Sequence, residues 1–516
     1  MKGQRPEAGL CRAGVVVRPI ERLDAVRTGM LHEASLQILQ DPGITCFNAE
    51  AASIFADADC PTERSPGDGA WLVRIPRAVV EWAIDSAPSR VVLGAREPAN
   101  TLVLDTEVPR VYFGTGSETN VFLETQMIEA ERPDRSSSPT RYPRHTGERG
   151  TVRRLADSAR LCNALEHVDF FIRNVNIQDE DIETSSKDVN IFFASLRYMT
   201  KHVQAGLTDV SALDDVVRMG EIVAGGPDRF YEAPPISFIA CLVKSPLQMV
   251  DDTTAKVVQF ARRRLPLVIS SSPQGGSTAP VQEEGMVALI NAEILAGITL
   301  TQLISPGTPV LYGAVPVRAR LDTLHDLYGA PEVIHYNVDC VQLARRYGVP
   351  CYSTAGVGDC HVPGMQATIE KVFSHLAVAQ SGAHYIHYAI GLLDRTGTFS
   401  PVQAIIDDAN VGVVKQILRP PAFDQSDVGA AVAEVRKVMR SSTRLFARHI
   451  RRQIRRGVVS EPYTLEGDGA RDDVIERACD RLAEIRAAPG TPLPDDVVEA
   501  IYREVPGLLP KERFDL

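Results

Sequence analysis

The chain has no surplus of positive charge, no long unbroken apolar run and few aromatic side chains. Lys plus Arg number 55 against 66 Asp plus Glu, a formal charge of -11. That balance excludes the basic footprint of a nucleic-acid binder. The most apolar long stretch, around Met286–Ile304, is interrupted by Asn291, Glu293, Thr299, Thr301 and Gln302. No uninterrupted run reaches the roughly 18–20 residues that span a bilayer. The N-terminus, MKGQRPEAGLCRAGVVV, is basic, but no apolar core follows it as in a signal peptide. A cytoplasmic location is therefore expected. The nine cysteines are odd in number and scattered, with no CxxC, so neither a disulfide framework nor a zinc ribbon is indicated. They are expected as reduced, mostly buried thiols.

What is present is a chain of 516 residues, 44% hydrophobic, enough for one large barrel with helical additions. Ile20–Gln40 reads as an amphipathic helix with Leu31, Ala34, Ile38 and Leu39 on one stripe, stopped by Asp41-Pro42-Gly43. Ala51–Asp57 and Arg77–Ala87 read as shorter helices, so residues 1–104 are expected as a mainly helical N-terminal region. Glu131–Arg149 is rich in Pro, Ser and Arg and reads as an exposed loop. From 105 to 410, eight β-rich runs recur: Arg110–Phe113, Asp169–Ile172, His202–Gln204, Ile236–Leu242, Leu267–Ser270, Pro309–Tyr312, Pro350–Tyr352 and His384–Tyr388. Helical patterns such as Ser211–Val223, Thr253–Arg264, Gln282–Ile304, Ile334–Arg346 and Met365–Ser381 separate them. Strands alternating with helices predict parallel pairing, because a parallel connection needs a long crossover. Eight units suggest an α/β fold closed as a (β/α)8 TIM barrel, although the pattern alone also fits an open doubly wound sheet. Residues 411–516 are expected as a C-terminal helical region, with Asp424–Arg456 ending in the basic run RLFARHIRRQIRRG and Asp472–Ala488 a charged amphipathic helix. The arginine cluster reads as a solvated face or, alternatively, as a partner-binding one.

Several blocks, in order from about residue 30 to 415, resemble the trimethylamine:corrinoid methyltransferase family. They are LHEASLQIL, VRIPRAVVEWAIDSAP followed by RVYFGTGSETNVF, and the long SPLQMVDDTTAKVVQFARRRLPLVISSSPQGGSTAPVQEEGMVALINAEILAGITLTQLISPGTPVLYG. RRYGVPC, GDCHVP, SGAHYIHYAIGLL and TFSPVQAIIDD follow. The resemblance implies methyl transfer from a methylated amine to the cobalt of a corrinoid (cobalamin) carried by a separate corrinoid protein. None would be bound stably by this chain, in keeping with the lack of a DxHxxG stretch. Members that demethylate trimethylamine use pyrrolysine, which this sequence lacks, so it looks like the branch containing glycine betaine methyltransferases. A quaternary ammonium already carries its charge and leaves as a neutral amine. It needs alignment and dehydration rather than a dedicated activating residue. The expected substrate is thus a small quaternary amine, and a homo-oligomer is expected. A corrinoid-independent, lyase-like barrel enzyme and a non-catalytic betaine-binding protein are the alternatives on the same scaffold.

In such barrels the chemistry sits at the C-terminal ends of the strands. Past the first run lies Gly114-Thr115-Gly116, whose glycines either admit a ligand or make a tight turn. Thr115 and Gly116 are accordingly substrate-site candidates. Gln274 lies in the polar loop Ser270–Pro280, where backbone amides can hold a carboxylate. Arg318, with Arg320, can grip a carboxylate bidentately. Asp359 matches an acidic position of the family block and can neutralise an ammonium charge, while His361 stands where lysine is expected; these two are the catalytic candidates. A zinc site from Cys351, Asp359, Cys360 and His361 is too crowded for usual ligand spacing, and no metal is expected. A trimethylammonium head has no donor and is recognised by aromatic faces, each contributing roughly 0.5–2 kcal/mol. Aromatics are only 6% of the chain, yet His384-Tyr385-Ile386-His387-Tyr388 gathers four rings. Strand alternation puts Tyr385 and His387 on one face and His384, Ile386 and Tyr388 on the other. Tyr385, His387, Tyr388, Tyr112, Tyr312 and Tyr352 complete the candidate cage.

Overall fold

The computed structural model describes residues 11–516 apart from 66, 68, 117, 130–140, 422, 443, 447–462, 464 and 466–472. All eight expected runs are strands: β1 (Arg110–Phe113), β2 (Phe170–Ile172), β3 (His202–Ala205), β4 (Ile236–Lys244), β5 (Leu267–Ser271), β6 (Val310–Ala314), β7 (Cys351–Thr354) and β8 (Tyr385–His387). Each pairs in parallel with the next from β2 through β8, and β8 pairs in parallel with β1. An isolated parallel bridge joins Gly114, just past β1, to Phe170 of β2. A helix follows each of these strands in the chain: Val152–Ala164, Thr184–Tyr198, Leu213–Ala224, Asp251–Arg262, Glu283–Ile304, Pro331–Tyr347, Met365–Gln380 and Pro401–Leu418. The result is a mixed α/β fold around a large, mostly parallel sheet.

The strands form here because both of their faces are buried, so runs such as Leu267–Ser271 and Val310–Ala314 carry almost no alternation. One face packs on the helices through Phe171, Val203, Phe238, Ile269, Tyr312 and Ile386. The other gathers Tyr112, Phe170, Ile172, Val268, Leu311, Tyr352 and Tyr385 with Val91, Leu93, Leu102 and Leu104. Those four belong to a hairpin, Arg90–Leu93 with Leu102–Asp105, that covers the N-terminal ends of the strands. Helix Glu283–Ile304 is, among the described residues, the one long and apolar enough to cross a membrane, but 89% of its most apolar window is buried in the fold. It is the central core helix.

Three expectations need correction. Arg141–Arg149 is not loop but a nine-residue strand paired antiparallel with Val121–Glu129. Its polar residues escape a hydrophobicity reading because the strand is largely exposed. The N-terminal region is helical only in part: Ala25–Gln40, Ala49–Asp57 and Arg77–Ser86 alternate with short strands at Ile44–Cys46, Thr62–Arg64 and Trp71–Val73. In the C-terminal region the expected Asp424–Arg456 helix ends at Met439, and Val474–Ala487 is helical as read. Most of the basic run lies outside the described residues.

Asp339 on helix Pro331–Tyr347 is 2% exposed and 3.4 Å from the Arg22 guanidinium. Burial outweighs that partner and pushes its carboxyl from 3.8 up to about 6. An acid raised in the folded state stabilises the fold while protonated. That contribution is complete below 3.8 and is lost as pH rises through about 6. Asp339→Asn is therefore expected to stabilise the protein by about 1–2 kcal/mol at neutral to mildly alkaline pH and hardly at all in acid. Urea unfolding midpoints in the two ranges measure it; an equal gain in both would refute this account.

Candidate active site

A continuous column of rings runs up the inner face of the sheet. Phe170 stacks on Tyr385 with centroids 3.5 Å apart, Tyr385 on Tyr352 at 5.6 Å and Tyr352 on His387 at 4.0 Å. His387 meets Tyr388 edge-on at 3.9 Å, and Tyr388 meets Tyr328 at 6.3 Å. The column climbs from β2 and β8 toward the C-terminal edge, where the loops after β6 and β8 supply the last two rings. Two glycines make room for it. A Cβ on Gly114 would lie 2.2 Å from the Phe170 ring, and one on Gly116 would lie 2.7 Å from the Tyr388 ring. Tyr388 itself sits at φ 66°, a left-handed conformation that costs a side-chain-bearing residue about 1–2 kcal/mol.

These rings are electrically neutral. Burial drives the Tyr352, Tyr385 and Tyr328 hydroxyls well above their ordinary range. Burial also lowers His387 to about 3, against a smaller opposing effect of the Ser353 carbonyl. His387 Nδ1 lies 2.8 Å from that carbonyl and so carries the proton, leaving Nε2 as the acceptor facing Thr354 Oγ1 at 3.3 Å. Beside the rings, Cys241 in the middle of β4 is exposed, although its neighbours on that strand are buried. Its thiol is 3.0 Å from Ser270 Oγ, and it lies within electrostatic range of the Tyr328 and Tyr352 hydroxyls. An exposed residue in a central strand marks a solvent-reached recess beside these rings. Deeper in, the Tyr385 hydroxyl and Gln204 Oε1 are buried without a hydrogen-bond partner. Gln204 donates through Nε2 to Ser237 Oγ at 3.0 Å, and His202 Nε2 lies 2.7 Å from the same oxygen.

Residues 11–456 match the family described as trimethylamine methyltransferase. The chain belongs to the trimethylamine methyltransferase family. It is 30% identical to the trimethylamine methyltransferase of Desulfitobacterium hafniense over 388 residues, which is 75% of this chain and 72% of that one. It is 28% identical to a trimethylamine methyltransferase of Methanosarcina mazei over 413 residues, 79% of this chain and 78% of the other. With the glycine betaine methyltransferase of Desulfitobacterium hafniense it shares 26% identity over 428 residues, 83% of each chain. The protein is thus a methyltransferase, as the resemblance of its sequence blocks implied.

In this member of the trimethylamine methyltransferase family the candidate residues part into two groups. Tyr352, Tyr385, His387 and Tyr388 come together in the column, with Gly116 directly beneath Tyr388. Tyr112 faces inward but at the N-terminal end, its hydroxyl 3.2 Å from the Arg12 carbonyl oxygen. Thr115 Oγ1 both donates to the Ile172 carbonyl at 2.7 Å and accepts from its amide at 2.8 Å, tying β1 to β2. Tyr312 points the opposite way, into the helix layer, where it donates to Asn291 Oδ1 at 2.8 Å. Its neighbour in register is Cys351, so Tyr352 necessarily takes the other face. Gln274 Nε2 donates to the Leu324 carbonyl and to Asp326 within its own loop cluster. Arg318 is 3.7 Å from Glu332, and Arg320 is an exposed partner of Asp322.

Both carboxylate oxygens of Asp359 accept backbone amides, Tyr328 at 2.9 Å and Gly329 at 2.8 Å, so Asp359 fixes the backbone that carries the Tyr328 ring. His361 is exposed and 2.9 Å from Asp394. Tyr328, Phe170 and Cys241 are the residues that sequence reasoning missed. Cys241 was within reach, since alternation along β4 puts Ile239 and Cys241 on one face. Tyr328 lies in an irregular loop whose course no periodicity records.

Proposed function

We propose that the eight parallel strands close as a (β/α)8 barrel and that this methyltransferase demethylates a small quaternary amine, of the glycine betaine type, with a corrinoid on a partner protein as acceptor. The Gly114–Phe170 bridge supports closure, since it links the two strands at the ends of the parallel ladder. The observation that carries the substrate reading is the neutral ring column opening on the recess at Cys241. A quaternary ammonium offers no hydrogen bond and is held by π faces, each contributing about 0.5–2 kcal/mol. Uncharged Tyr328, Tyr352 and His387 do not repel the cation, which has no N–H proton to give up. Their part is to bind it, exclude water and aim one N-methyl group outward. Gln204 Oε1 and the Tyr385 hydroxyl supply an unsatisfied acceptor and a hydroxyl for the polar end of the substrate.

The corrinoid, when bound at the C-terminal edge, supplies a cobalt centre that accepts the methyl group. The open recess beside Cys241 fits such an approach. So does an apolar rim at the same edge, with Leu321 63%, Leu324 56% and Val362 41% exposed in the loops after β6 and β7, and Met365 81% exposed at the start of the helix that follows. Solvent-facing apolar groups at this density suit a docking protein. Nine unpaired thiols accord with a reducing, cytoplasmic setting. Replacing Leu324 and Met365 by Glu is expected to slow methyl transfer to the protein-borne corrinoid at least tenfold while leaving amine binding by calorimetry unchanged.

The direct test is optical. The purified protein is mixed with reduced cob(I)alamin, free and on its carrier, and with glycine betaine, carnitine, proline betaine, choline, trimethylamine and dimethylsulfoniopropionate. Formation of methyl-Co(III) with one quaternary amine and none with trimethylamine is the expected result. Failure with every donor, even with the cognate corrinoid protein, would sink the proposal.

A further inference from the structure

Helix Gln425–Met439 opens with a capping box, in which Asp424 accepts the Asp427 amide and the Asp427 side chain accepts the Asp424 amide. A cap of this kind fixes a helix start, but a 15-residue helix is marginal in water without tertiary support. Here support is thin: of its residues, Val438 alone is buried. Val428, Val432, Val435 and Met439 are 49%, 43%, 48% and 51% exposed. Their spacing of four, three and four residues draws one apolar seam down the solvent side, the a/d repeat of paired helices. Phe423, 69% exposed, extends the seam at one end, and Leu445 and Phe446, 52% and 48% exposed, lie beyond the other.

The charges along this helix select the occupant. Asp424 and Asp427 sit at its start, and Arg436, Lys437, Arg440 and Arg444 lie toward and beyond its end. A parallel copy would set like charges side by side. An antiparallel copy sets opposite charges together. Packing Val428 against the partner's Met439 and Val432 against the partner's Val435 brings Asp427 level with the partner's Arg440, and places the acidic start of each helix beside the basic end of the other. The macrodipoles also oppose in that arrangement. A surface that complements itself under a two-fold rotation is what a symmetric dimer requires.

We infer that the exposed face of helix Gln425–Met439 is the contact through which two copies of this chain pair, antiparallel, about a two-fold axis passing between Val432 and Val435. This goes beyond the methyl-transfer reading and does not depend on it. The seam is far from the ring column in sequence, and substitutions on it leave the recess residues untouched.

The test is sedimentation velocity on the full chain over about 1–50 micromolar, a range that resolves an interface of modest affinity. The wild type is expected at twice the 56.3 kDa chain mass or a higher even multiple. Val432→Glu with Val435→Glu is expected to raise the dissociation constant at least a hundredfold, and Arg440→Glu about tenfold. Both variants alter exposed residues, and circular dichroism with an unchanged Tm verifies that they fold. A monomeric wild type, because another segment of the same chain covers the seam or nothing does, overturns the inference. So does an oligomer that survives the double variant, since its interface then lies elsewhere.

Discussion

Lys371→Met should destabilise the protein by about 3–5 kcal/mol and abolish methyl transfer even below the new melting temperature. Lys371 and Asp407 are a fully buried ion pair with nitrogen and oxygen 2.8 Å apart. Lys371 also donates to the Gly356 carbonyl at 2.5 Å, and Asp407 accepts the Gly391 amide at 2.7 Å and Gln403 Nε2 at 2.8 Å. Gly356 begins the loop after β7 and Gly391 lies in the loop after β8, so one ion pair fixes both loops flanking His387 and Tyr388. Removing the cation leaves Asp407 buried with no counter-charge and frees the Gly356 carbonyl at once. Urea denaturation measures the first effect and the corrinoid assay the second. Asp407→Asn together with Lys371→Met removes the stranded charge and should recover part of the stability without restoring the loops. If the double variant recovers full activity, the pair does not position these loops.

Tyr352→Leu should lower kcat/KM for a quaternary amine roughly tenfold to thirtyfold, and Tyr352→Phe should change it little. Tyr352 is the middle of the column, stacked on Tyr385 below and His387 above. Its loss removes one π face from the cation and a support from His387. The cation–π share alone, about 0.5–2 kcal/mol, is a factor of roughly 2–30. The Phe variant keeps the ring and drops a hydroxyl whose ionisation is already suppressed. Rates for the three proteins, with an uncharged substrate analogue tested as a competitive inhibitor, separate the charge contribution from packing. Equal loss of affinity for charged and uncharged ligands would mean that the ring fills space and nothing more.

The eight strands from β1 to β8 and five of the helices between them were legible because short apolar runs alternate with 3.6-residue patterns. Which face each strand residue takes was only partly legible. In HYIHY the polar and apolar residues are interleaved enough to pair Tyr385 with His387. In VLY of β6 every side chain is buried, so nothing in the sequence says that Tyr312 faces the helices and Gly313 the opposite face. Arg141–Arg149 failed for the opposite reason: a strand exposed on most of its length leaves no hydrophobic trace. Asp359 was singled out for its charge, and the contacts it makes, accepting the Tyr328 and Gly329 amides, leave no trace in the sequence. Side-chain chemistry allows either role, and geometry alone decides between them.

The exposed strand Arg141–Arg149 forms one edge of its four-stranded sheet, with a row of backbone groups turned outward. Such an edge invites another chain to add itself as the next strand. Pro143 contributes no amide to that row, and Arg141, Arg144 and Arg149 outnumber Glu148 along nine residues, although Arg141 pairs with Glu476 and Arg149 with Glu180. Two copies approaching edge to edge would bring these charges together before any hydrogen bond formed. The composition that hid this strand from a hydrophobicity reading thus also works against its pairing with another edge.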